Sequence, residues 1–240
     1  PEFEKEDDPT SGFGLYVPSA RLAHGYWFRR YRLGILVETH SWKTYKTRVK
    51  THYNVVLSLL ELTALHSKKW IEAEKAADLE SSTLAGKSIP LEFTRTEKSK
   101  QIDFAGYAYK IEDSAISGGK KITYFPNRPE MWKVPLFDEV IPKLTVRAPR
   151  EGYFIPPAHQ SLILPKLDVH GIQYSKVLGS LAFSGEVFRA NEIEFSKKPY
   201  EGRQTLKLKG EWKTENRSLA AGTVLVPINQ KNGNLVMTLL

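Results

Sequence analysis

Glu38 is the side chain whose position most invites chemistry. It closes the apolar run Leu33-Gly-Ile-Leu-Val37, and a short run apolar at every step reads as a strand buried on both faces. Open α/β sheets place their active-site crevices beyond the carboxyl ends of such strands. A carboxylate emerging there loses part of its hydration, which equips it to act as a general base. The plainer alternative is a fold-stabilising ion pair with Arg48 or a nearby basic residue.

Other chemistries are short of parts. None of the six histidines opens a His-x-x-Glu or His-Glu-x-x-His pattern, so no zinc motif is complete. The chain holds no Gly-x-Ser-x-Gly nucleophile elbow and no Gly-x-x-x-x-Gly-Lys phosphate loop. With no cysteine, disulfides, thiol catalysis and cysteine-ligated zinc are excluded. Gly12-Phe-Gly14 and Gly118-Gly119 read as turns.

The elements that must position Glu38 follow from periodicity. Residues 20–32, dense in aromatic and basic side chains, read as a short helix. From Lys43 the period changes: Tyr45, Val49, Tyr53, Val56, Leu60 and Ala64 recur at three and four residues, the stripe of an amphipathic helix. Helical composition continues to Ala77, with a break expected near His66 and Ser67. Strand followed by long helix is α/β grammar. Beyond Pro90 short alternating or β-branched runs take over, at 91–96, 104–111, 121–125, 144–147, 185–190, 205–212, 223–228 and 234–240. Turn residues separate them, which predicts an antiparallel, sandwich-like β module. His170-Gly171 reads as a turn between β elements, and Trp42, Trp70, Trp132 and Trp212 as core packers. The acidic start, Glu2 to Asp8, reads as a solvated arm.

Several of these segments carry a resemblance. Gly34-Ile-Leu-Val-Glu-Thr-His-Ser-Trp-Lys-Thr-Tyr-Lys-Thr-Arg-Val49 resembles bacterial zinc metallocarboxypeptidases, the carboxypeptidase A-like peptidases. Arg147–Pro156, Leu167–Ile172, Tyr200–Gln204 and Ala221–Gln230 resemble the C-terminal extension of that group. The resemblance implies that residues 1–85 are the C-terminal portion of a carboxypeptidase-like α/β catalytic domain, a partial sheet with a long helix. Residues 86–240 would be a β-rich accessory module. It implies that Glu38 is the general base toward zinc-bound water, that Tyr16 is the loop tyrosine closing over the substrate's terminus, and that Arg21 helps anchor a substrate carboxylate. Zinc is the implied cofactor and a peptide or cell-wall peptide the implied substrate. The family's ligands, a His-x-x-Glu pair and a later histidine, have no counterpart here, so the chain is expected to be a piece of a longer protein. Export to a periplasmic or secreted location is implied by the same resemblance.

Composition supplies the rivals. At 240 residues, 41% hydrophobic and 26% charged, the chain is that of an ordinary globular protein, and no apolar run is long enough to span a bilayer. A net charge of +8 suggests nucleic acid, but the basic residues are dispersed and accompany no recognition motif. A non-catalytic β-sandwich binding module, with Glu38 structural, is the alternative from a different class.

Overall fold

The computed structural model describes residues 2–5, 8–41 and 43–240. In chain order the elements are β1 (Glu2–Phe3), β2 (Phe13–Gly14), α1 (Ala23–Arg29), α2 (Tyr45–Ser81), β3 (Ser88–Arg95), β4 (Lys100–Asp113), β5 (Lys120–Phe137) and β6 (Val140–Arg147). There follow β7 (Gly152–Ile155), α3 (Pro157–Val169), β8 (Ser175–Lys176), β9 (Leu181–Phe195), β10 (Leu206–Leu219), β11 (Val224–Pro227) and α4 (Gly233–Leu239). They form two compact units: everything up to Arg150 together with Lys231–Leu240, and Glu151–Gln230. The chain is a mixed α/β protein whose sheets are small and open.

In the first unit β4 and β5 form a long antiparallel hairpin with a bulge near Ala108, extended through β2 to β1. Its apolar face is aromatic. Phe3 stacks on Phe13 at 4.9 Å between ring centroids, Phe13 meets Phe104 at 4.6 Å, and Phe104 lies 5.9 Å from Trp132. The Trp132 indole N–H donates to the Tyr107 carbonyl at 3.2 Å, so burying the ring strands no donor. The ring lies so close over Gly106 that a Cβ there would sit 2.3 Å from it. The N-terminal segment is thus tied to the sheet through β1 rather than being a free arm; Glu6 and Asp7 lie outside the described residues.

Helix α2 begins where the Thr44 hydroxyl accepts the Thr47 N–H at 3.3 Å, a side-chain cap on an orphan donor. It runs unbroken through His66 and Ser67, so the expected break is absent. Its 37 residues span about 55 Å at 1.5 Å per residue. The C-terminal half is anchored: Arg32 donates to both Asp78 carboxylate oxygens at 2.8 and 3.0 Å, and Lys231 reaches Asp78 at 2.9 Å. Burial pushes the Asp78 carboxyl up, but hydrogen bonds from Lys231 and Arg32 and their charges outweigh it and hold it below its ordinary value. The buried Asn234 binds α4 to this region, its N–H donating to the Ser81 hydroxyl and its amide to the Arg29 carbonyl. Residues 234–240, expected as a strand, are mostly the helix α4 with Leu235, Val236 and Met237 buried. A short apolar run fits a buried strand and a buried helix equally well, and packing decides. Arg29 is buried too and donates to the carbonyls of Pro90 and Leu91.

In the second unit β11 pairs with β7 on one side and β8 on the other, and β9 with β10. Val224, Val226 and Ile228 are fully buried beside Ile155, Leu167 and Ile172. The buried Gln230 amide accepts from the Gln173 N–H at 2.8 Å and donates to the carbonyls of Gln173 and Pro227 at 3.1 and 2.7 Å, leaving no polar atom stranded. Helix α3 interrupts the stretch expected to be entirely β. His170-Gly171 is its C-terminal cap rather than a β turn: Gly171 adopts φ +64°, and Ile172 N–H donates to the Leu167 carbonyl at 2.9 Å. Trp132 is a packing residue as expected, Trp212 is half exposed, and Trp42 lies outside the described residues.

Candidate functional site

Glu38 lies in the extended segment between α1 and α2, and the structure changes the expectation for that segment. Residues 33–37 form no strand, and Leu33, Ile35 and Leu36 are 66, 64 and 56% exposed. An isolated apolar stretch with no neighbouring strand cannot satisfy its backbone by sheet pairing, so strand propensity alone does not make one. Glu38 itself is exposed, and Arg48 makes no ion pair with it. The Thr39 hydroxyl stands 3.4 Å from His52 Nε2 on the first turns of α2. Tyr16 lies in the stretch between β2 and α1 and is 51% exposed, and Arg21, also exposed, sits in the turn that opens α1. Tyr16 and Arg21 thus share the segment between β2 and α1, while Glu38 lies on the segment between α1 and α2, all in the first unit. Shallow, open depressions run along Tyr45, Val49 and Tyr53 and at the base of the β9–β10 pair.

The described residues do not make a zinc centre. Among the described residues no three histidine, aspartate or glutamate side chains are grouped to hold a metal ion. Zinc needs three or four such donors converging at about 2.0–2.2 Å. The described chain does not fit the ion that the resemblance implies.

The middle of α2 carries a feature that no motif announces. Residues 55–65 of α2 carry one charge, Glu61, and apolar side chains point in every direction around the axis. Val56, Leu57, Leu60, Leu62 and Leu65 are 44–74% exposed. A helix apolar all round belongs inside a protein rather than on one. The signal was present as the loss of amphipathic contrast beyond Tyr53, where the stripe widens into a full circumference.

Comparison with known proteins points to one class, carboxypeptidases. The chain is 33% identical over 97 residues to carboxypeptidase 2 of Trichophyton tonsurans, and equally so to a probable carboxypeptidase 2 of Arthroderma benhamiae. The match covers 40% of this chain but only 18% of those fungal proteins. No protein-family model matches the chain, and no solved structure matches it significantly. No helix among the described residues is long and apolar enough to cross a membrane.

Proposed function

We propose that this chain is the C-terminal portion of a zinc-dependent carboxypeptidase-like peptidase whose metal ligands lie outside it. Residues 1–85 contribute to the catalytic domain and residues 86–240 form the accessory β module. The observation that carries this reading is the pairing of a carboxypeptidase likeness with two uncovered apolar elements, residues 33–37 and 55–65, on either side of Glu38's loop. A sheet laid against them would give 33–37 the strand neighbours it lacks and bring Glu38 to the edge of a crevice. Glu38 would then take the proton of the attacking water and return it to the leaving amine. Tyr16 would cover the terminal residue of a peptide or cell-wall peptide, and Arg21 would pair with its carboxylate.

The reading is tested by comparing the 240-residue chain with a longer polypeptide that includes the sequence encoded upstream of it. Stoichiometric zinc and release of C-terminal residues from peptides are expected in the longer polypeptide alone. A longer polypeptide that folds yet holds no zinc and releases nothing overturns it.

A further inference from the structure

The β9–β10 ribbon of the second unit has two unlike faces. Along β10 the sequence Leu206-Lys-Leu-Lys-Gly-Glu-Trp-Lys-Thr-Glu215 alternates strictly, so Leu206, Leu208 and Trp212 share one side. The register sets Phe195 opposite Leu206, Ile193 opposite Leu208 and Phe188 opposite Trp212, with the Phe188 and Trp212 rings 5.4 Å apart. The bulge near Asn191 keeps both halves of β9 in phase with β10. The other side is laced with ion pairs, Arg189 to Glu215 at 2.9 Å, Lys209 to Glu192 at 2.7 Å and Lys213 to Glu211 at 2.8 Å. Such a charged face suits water. Alternation of this kind belongs to a strand with one covered face, yet the six apolar side chains are 37–61% exposed.

We propose that a second copy of this chain covers that face, the two ribbons packing antiparallel about a two-fold axis. Two observations favour this occupant. With the six side chains 37–61% exposed, about 700 Å² is open per copy, so pairing removes at most on the order of 1,400 Å², within the size range of a specific interface. The face is also self-complementary. Glu186 lies at the base of the apolar patch on the same side, and Lys197 and Lys198 follow Phe195 at its tip. A two-fold axis through the middle of the patch carries the acid of each copy to the lysines of the other, whereas a parallel arrangement sets like charges together.

Sedimentation of the intact 240-residue chain at micromolar concentration should give twice its 27.3 kDa mass. Combining Leu208→Lys with Trp212→Lys should yield a monomer. Because those changes also remove packing within the ribbon, a charge series provides a second reading. Glu186→Lys alone should weaken pairing by about tenfold or more, as like charges at a rim do, and adding Lys197→Glu with Lys198→Glu should restore it. A chain that remains monomeric overturns the proposal. So does association indifferent to both sets of substitutions, as pairing through α2 would be, and so does a monomer whose ribbon face is shielded from solvent labelling by another segment.

Discussion

At the scale of single residues, two kinds of polar side chain must be separated. Glu38 is exposed and makes no ion pair with Arg48, so the fold does not depend on it in the way the structural alternative required. Replacing it by Gln should leave the unfolding free energy of this chain within about 0.5 kcal/mol of the original, as for an ordinary surface site; urea titration checks this. Arg29 is the opposite case. Its guanidinium is buried against two backbone carbonyls and lies over the Phe93 ring at 5.8 Å. Arg29→Met keeps the stem but strands those carbonyls, and should cost about 2–3 kcal/mol in the same titration. Asp78 sets a pH dependence. Its carboxyl is lower in the folded chain than in the unfolded one, held there by Lys231 and Arg32 against the pull of burial. Its contribution is therefore full above the ordinary aspartate value and is lost as pH falls through the lower native one. Asp78→Asn should lower stability at neutral pH and flatten its fall on acidification, measured as denaturation midpoint against pH.

At the scale of elements, the sequence was most legible where the period was long or local chemistry decisive. Helix α2 and the strands predicted at 91–96, 104–111, 121–125, 144–147, 185–190, 205–212 and 223–228 are all present. Three elements differ from the expectation, two of them because a neighbour decides the outcome. Residues 33–37 have strand composition but no strand to pair with. Residues 234–240 become helical because Asn234 is captured by Ser81 and Arg29. Helix α3 carries Pro165 in its interior and Pro156 and Pro157 at its start, residues that count against a helix by composition although a proline in the first turn costs no hydrogen bond. The β4–β5 hairpin offers a test of close packing. Gly106→Val would drive a side chain into the Trp132 ring, and a loss of about 1–3 kcal/mol is expected from overpacking. Thermal unfolding followed by tryptophan fluorescence reads it.

At the scale of the molecule, the surface is uneven in a consistent way. The second unit is closed at β11 and Gln230 but open along its ribbon. The first is closed around α4 and the aromatic face of β4–β5 but open along residues 33–37 and the middle of α2. Exposed apolar area on this scale marks surfaces that another polypeptide covers. The amide hydrogens of residues 50–65 should accordingly exchange rapidly in this chain and slowly in the longer polypeptide, read by hydrogen exchange with mass spectrometry. Of the candidate site, Glu38 is named from a segment that carries the resemblance, and Tyr16 and Arg21 only from their place upstream of it. A sequence does not show what would join the three, because the walls of any crevice come from elements distant in sequence.

If Glu38 moves the proton in peptide hydrolysis, replacing it must slow turnover without disturbing the metal or the substrate. In the longer polypeptide, Glu38→Gln should leave zinc content and substrate KM near the unsubstituted values. Turnover of a C-terminal peptide substrate should fall by about 10²–10⁴, the range of general-base catalysis. Turnover within a few-fold of the original, with the metal still bound, would contradict the account.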